Sequence, residues 1–263
     1  MMNISLNNKT AMVCGSTQGI GKAVAKELAE LGANIVLVAK DRDKLTKVLN
    51  ELSAAGGQQH RFIKADFSFP DELKLKLNDY CKKNGPVHIL VNNTGGPPSG
   101  RAIDASPKDY IQALTNHLVC NQILVKAVEE GMRKEGYGRI INILSTSVKE
   151  PILGLGVSNT VRWAVAGWAK TLSKELGPCG ITVNNILPGF TDTARLKTLL
   201  KSKAENLGKS YEEILEDSLK MIPAGRLATP EEIGYAAAFL ASPAASYING
   251  INLPVDGGRL GCL

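Results

Sequence analysis

Short apolar runs rich in Val, Ile and Leu alternate along this chain with longer stretches whose apolar residues recur every three or four positions. The runs fall at residues 10–13, 33–39, 59–64, 88–92, 139–144, 181–187 and 251–255, and predict seven strands. The periodic stretches predict helices over 22–31, 41–55, 69–84, 108–134, 157–176 and 230–240. Gly56-Gly57 closes the second of these, and Pro70 and Gly85-Pro86 bracket the third. Unbroken strand–helix alternation predicts one α/β domain, a doubly wound parallel sheet of about seven strands with right-handed crossovers and helices on both faces. Residues 194–225 lack a strand pattern, and their charged, helix-prone composition predicts a flap over the site, with a rigid surface insertion as the alternative.

In such sheets ligands bind beyond the carboxyl ends of the strands. Cys14-Gly15, Ala39-Lys40, Asp66, Asn92-Asn93, Leu144-Ser145 and Leu187-Pro188-Gly189 are therefore expected on one rim. The most specific local signal there is Gly15-Ser16-Thr17-Gln18-Gly19-Ile20-Gly21, between the first strand and the helix that opens at Lys22. Glycines let backbone N–H groups approach a phosphate closely, and the helix N-terminus adds a partial positive charge. Strand, turn and helix together predict a pyrophosphate cradle, and so a nucleotide ligand.

Composition narrows the function classes. Of 263 residues, 44% are hydrophobic and 21% charged, as expected of a chain with a full core. The net charge of +6 comes from dispersed lysines and arginines; Lys82-Lys83 and Lys201-Ser202-Lys203 are the densest groups, so the charge fits an anionic cofactor better than nucleic acid. The five cysteines, at 14, 81, 120, 179 and 262, form no close pair, which argues against a metal or redox motif and a disulfide framework. No apolar run approaches about 20 residues, so no membrane span is expected, and a soluble, reducing, cytoplasmic setting follows as an expectation.

Six ordered motifs carry a resemblance. Besides the glycine turn they are Asn92-Asn93-Thr94-Gly95, residues 138–145 ending in Ser145, residues 183–193 with Pro188, Gly189 and Thr193, residues 222–232, and residues 248–258. In this set the chain resembles the short-chain dehydrogenases/reductases, most closely those of the β-ketoacyl-(acyl-carrier-protein) reductase type, over nearly its whole length. The resemblance implies a single-domain Rossmann fold and hydride transfer between a nicotinamide cofactor and a small carbonyl or alcohol substrate. It implies that Gly15 to Gly21 hold the diphosphate and that Asp66 and Phe67 lie at the adenine. Asn92, Asn93 and Gly95 would then lie on the adenosine-ribose side, and Pro188, Gly189 and Thr193 would line the nicotinamide side. It also implies a homodimer or homotetramer, with the helix that carries Trp163, Gly167 and Trp168 at a subunit contact. Cofactor choice is read at the end of the second strand, where Ala39 is followed by Lys40 and Arg42, with Asp41 and Asp43 interleaved. Basic groups there pair with a 2′-phosphate, which favours NADP(H) and leaves NAD(H) as the alternative.

The family's catalytic residues are Asn, Ser, Tyr and Lys. Ser145 fits the family Ser, but Ser158 and Arg162 stand at the positions expected for Tyr and Lys, and the Asn position falls on His117, with Asn116 adjacent. A serine hydroxyl is a weaker acid than a phenol, and Arg162 holds its proton too tightly to donate it. Two readings follow. In one, the chain is a reductase in which His117 supplies the proton while Ser145 and Ser158 hold the carbonyl oxygen. In the other, it binds a dinucleotide without transferring hydride and serves a binding or regulatory role. For His117 alone the alternative is a hydrogen-bonded core histidine.

Overall fold

The computed structural model describes residues 2–262. Among these residues seven strands form one parallel sheet: β1 (Thr10–Cys14), β2 (Asn34–Ala39), β3 (Arg61–Lys64), β4 (Ile89–Asn92), β5 (Gly138–Ile143), β6 (Ile181–Pro188) and β7 (Asn252–Val255). Their order across the sheet is β3-β2-β1-β4-β5-β6-β7, so the direction of winding reverses between β1 and β4. That reversal opens a crevice at the carboxyl edge, where Gly15 and Asn93 face each other.

Among the described residues there are nine α-helices: α1 (Gly19–Glu30), α2 (Arg42–Leu49), α3 (Pro70–Asn84), α4 (Pro107–Leu114), α5 (Cys120–Glu135), α6 (Gly156–Leu176), α7 (Ala194–Leu207), α8 (Tyr211–Lys220) and α9 (Pro230–Ala241). The apolar stripes of α1, α2 and α9 close one face around Val24, Leu28, Leu45, Ile233 and Ala237. Those of α3, α5 and α6 close the other around Leu73, Leu77, Leu124, Val128 and Ala169. Each large side chain removed from water contributes roughly 1.5–3 kcal/mol to this sandwich.

Helix α2 ends at Leu49 rather than near 55. Lys22 and Lys26 on α1 hold the Glu51 carboxylate, Leu52 is buried, and the His60 ring contacts the Ser53 carbonyl. These tertiary ties turn the chain before its helix propensity is exhausted. The long helix expected over 108–134 is continuous but carries a π-helical turn, Thr115–Val119, between α4 and α5. Residues 194–225 hold α7 and α8, which pack on each other through Leu196, Leu200 and Ile214. The chain on either side of them is joined by a parallel bridge between Thr191 and Ala228.

Asparagines cross the buried half of the sheet. Asn92, Asn142, Asn185 and Asn252 are register partners on β4 to β7, and each amide donates to the next at 2.8 Å. Among the described residues the Asn92 Oδ1 at the head of this row has no partner.

Candidate active site

At the end of β1 the chain turns through Gly15 (φ +58°) and Gly19 (φ +51°), left-handed conformations that disfavour a side chain. A Cβ on Gly15 would sit 2.7 Å from Asn93 Nδ2, and one on Gly21 would sit 2.3 Å from the Gly15 carbonyl. Asn93 fixes the turn by donating to the Cys14 and Gly15 carbonyls at 3.2 and 3.3 Å. Ser16 is buried and donates to Val38 O at 3.5 Å, which ties the turn to β2. Thr17 is half-buried, and Ile20 packs on the core beneath. Gln18 leads into α1 with no side-chain cap, and the first turn holds no acidic residue, so its N–H groups stay available to an anion. Thr193, which caps α7, lies opposite: a Cβ on Gly19 would meet its methyl at 3.2 Å.

Beyond β2 and β3 lies a cavity of about 460 Å³ whose lining includes Lys40, Asp41, Asp66 and Phe69. Lys40 and Arg42 are exposed, and neither forms an ion pair among the described residues. Asp66 accepts from the Ser68 N–H at 2.9 Å, while the Phe67 side chain turns into the core instead of the cavity. Phe69, just ahead of Pro70 at the start of α3, is 60% exposed. The sequence pattern puts Phe69 at a helix start and gives it no site role, although a bare aromatic on a predicted rim is itself a signal. The Asn92 side chain belongs to the sheet, and of that motif Gly95 is exposed at the rim. Pro188 ends β6 buried, and Gly189 packs against Asp256, which leaves no room for a Cβ.

The second cluster joins distant segments. Arg162 on α6 donates through Nε to Ser158 Oγ at 3.2 Å and through Nη1 to the Leu144 carbonyl at 2.7 Å, just ahead of Ser145. Ser145 Oγ accepts from the Ser147 N–H at 3.1 Å. Each serine oxygen thus takes one hydrogen bond, and neither O–H is donated to another described residue. The π-helical turn aims His117 inward, where its Nδ1 meets Thr94 Oγ1 at 2.7 Å. The Asn116 side chain accepts from Gln112 at 2.8 Å, one turn back along the helix, so it is His117 that reaches the cluster. Burial, reinforced by the nearby Arg162 charge, pushes the His117 pKa down to about 3, so the ring is neutral at ordinary pH. Burial, with Arg195 nearby, lowers the Arg162 pKa to about 10, which still leaves it charged.

A family model described as enoyl-(acyl carrier protein) reductase matches residues 15–259. The chain belongs to the short-chain dehydrogenase/reductase family. It is 35% identical over 263 residues to the 3-oxoacyl-[acyl-carrier-protein] reductase of Chlamydia muridarum, covering 98% of this chain and 99% of that one. It is also 35% identical to the 2-dehydro-3-deoxy-D-gluconate 5-dehydrogenase of Bacillus subtilis, over 97% of this chain and 96% of the relative. Among solved structures, L-sorbose reductase from Gluconobacter frateurii, complexed with NADPH and L-sorbose, superposes with a TM-score of 0.92 at 29% identity, with each chain fully covered.

In this short-chain dehydrogenase/reductase the cradle fits a dinucleotide on its own geometry. Gly15 and Gly21 allow a close backbone approach, α1 offers an uncapped N-terminus, and Thr193 closes the far wall. The pieces that sequence reasoning missed, Thr94 against His117 and Arg195 beside Arg162, come from separate segments and have no local motif.

Proposed function

We propose that this chain interconverts a carbonyl and an alcohol with NADP(H), using Ser145 and Ser158 to hold the reacting oxygen. The observation that carries this reading is the pair of serine hydroxyls beside Arg162, at the rim that holds the glycine cradle. When bound, the reduced nicotinamide supplies a hydride. The chain's own residues do the rest. The turn from Gly15 to Gly21 and the first turn of α1 hold the diphosphate. Lys40 and Arg42 face the 2′-phosphate, and Phe69 and Asp66 border the adenine. Both serine O–H groups point their free protons at the carbonyl oxygen. The Arg162 guanidinium beside Ser158 favours the alkoxide left when that hydroxyl gives up its proton. His117 stays neutral, so it positions Thr94 and the Gly95 loop; Ser158 rather than His117 gives the proton to the substrate oxygen and regains one from solvent. The α7–α8 hairpin serves as the flap over the substrate. The chain works as a homo-oligomer in the cytoplasm, a setting in keeping with five unpaired cysteines among the described residues. A dinucleotide binder without hydride transfer gains no support from the relatives, which are named for reductase and dehydrogenase activities.

The test is transfer of deuterium from 4-deuterated NADPH to a panel of ketones, aldehydes and oxo acids, read by mass spectrometry of the alcohols. A deuterated alcohol is expected from at least one substrate. Ser145→Ala and Ser158→Ala should each lower kcat about 100-fold while the Kd for NADPH holds. Lys40→Ala with Arg42→Ala should weaken NADPH binding about tenfold and leave NADH unchanged. Label appearing in no product would overturn the reading.

A further inference from the structure

The segment after β7 ties together parts of the site that are far apart in sequence. It leaves the sheet through Gly257 (φ +66°) and Gly258 (φ +85°), and Asp256 shapes it by accepting from the Gly258 and Leu260 N–H groups at 3.1 and 2.9 Å. On one side it lies on the exit of the α7–α8 hairpin. A Cβ on Gly257 would sit 2.8 Å from Ile222 Cγ2, and the Ala224 N–H donates to the Gly257 carbonyl at 3.1 Å. On the other side it crosses the turn that carries Ser145. Arg259 Nη1 donates to Thr146 Oγ1 at 3.1 Å, and the Gly261 N–H donates to Glu150 Oε1 at 3.0 Å. The Arg259 guanidinium carbon also lies over the Phe190 ring, 4.9 Å from its centre. Phe190, in turn, packs against the core of the α7–α8 hairpin. The arginine ion pairs among the described residues belong to Arg101, Arg133 and Arg226, so Arg259 is seated on a hydroxyl and a ring instead of a carboxylate.

We propose that Arg259 is a positioning residue, which holds the Ser145 hydroxyl in place through Thr146 and makes that placement depend on how the α7–α8 hairpin is seated. The proposal rests on the reductase reading above. Thr146 opens a single 3-10 turn, Thr146–Val148, and Ser145 caps it, with Oγ accepting from the Ser147 N–H at 3.1 Å. The Ser145 side chain therefore follows the turn. Thr146 is buried, so a shift of its side chain is taken up by the backbone on which Ser145 sits. One guanidinium group touches both this turn and the aromatic ring at the entry of the hairpin. Seating the hairpin on Phe190 thus favours the same Arg259 placement that braces Ser145, which couples the two by a free energy carried in one side chain.

The experiment compares the wild type with Arg259→Ala, Thr146→Val and the double variant, by amide hydrogen exchange and by steady-state kinetics. Thr146→Val removes the acceptor and keeps the contact with Phe190, so exchange over residues 146–150 should rise about tenfold while that over 190–193 holds. Arg259→Ala should raise both. With the carbonyl of the panel above that takes up most label, each single change should lower kcat about tenfold, and the double variant should be no slower than Arg259→Ala, because both changes remove one tie. The Kd for NADPH should stay within about twofold throughout, which a general loosening of the fold would not allow. Wild-type exchange rates over either segment in Arg259→Ala would overturn the proposal. So would an unchanged kcat, or losses that multiply in the double variant. A wild type that reduces no carbonyl sinks the reductase reading by itself. Faster exchange in both segments of Arg259→Ala would then keep the tie between hairpin and turn, and unchanged exchange would remove it as well.

Discussion

His117 holds an imidazole where the family motif calls for a carboxamide, and its surroundings decide its charge. Burial and the Arg162 guanidinium push its pKa from 6.5 to about 3. Above pH 6.5 the folded and unfolded chains both keep the ring neutral, and the shift has no effect on stability. Below 6.5 the unfolded chain takes up a proton that the folded chain refuses, so stability falls by about 1.4 kcal/mol per pH unit until the native ring protonates near 3. His117→Asn removes this linkage and keeps a polar partner for Thr94. Urea unfolding at pH 7 and pH 4.5 should therefore show the wild type losing about 2–3 kcal/mol more than the variant. His88, also shifted down by burial, is common to both proteins and cancels. Equal losses in the two proteins would mean that the native His117 protonates as readily as in the unfolded chain.

Among elements, β4 to β7 are joined by side chains as well as backbone. Asn142 is fully buried, donates to Asn185 and accepts from Asn92. Replacing it with Leu would keep the branched shape and strand two buried amide groups, which costs about 2–4 kcal/mol. Asn252→Ala, at the exposed end of the row, removes one acceptor and should cost about 1 kcal/mol or less. Denaturant midpoints measure both, and similar values would show that the row acts as independent polar groups. The same row shows where sequence reading stops. The strands and their parallel order follow from apolar runs a strand long, with helices between them. Asn92, a polar residue at a strand end, reads as a ligand contact because its partner lies fifty positions away. The π-helical turn is hidden in the same way, since one extra residue in a turn barely disturbs the apolar periodicity of residues 108–134.

Across the whole molecule, legibility follows distance along the chain. The cradle is one contiguous stretch, so its glycines announce it. The candidate catalytic cluster gathers His117, Ser145, Ser158 and Arg162 from three segments, and only the family motif points to them together. The outer face of α4 and α6 was legible in part, through Trp163 and Gly167. Trp163 is 51% exposed, with its indole N–H fixed on the Ser147 carbonyl at 2.7 Å. Ile111 on α4 and Val119 on the π-helical turn are 65% and 44% exposed, and a Cβ on Gly167 would meet nothing. An exposed tryptophan one turn from an uncrowded glycine on α6, with exposed aliphatic groups on α4 and on the π-helical turn, suits a self-complementary contact between two copies. Trp163→Glu with Ile111→Glu would bury charge in that contact, and a central tryptophan alone is worth about 2 kcal/mol, roughly 30-fold in dimer affinity. Sedimentation at micromolar concentration should show the double variant as a monomer and the wild type as a dimer or tetramer. Leu75→Glu, an equally drastic change on exposed α3, should leave assembly intact. A double variant that sediments with the wild type would move the contact elsewhere, and a monomeric wild type would remove it.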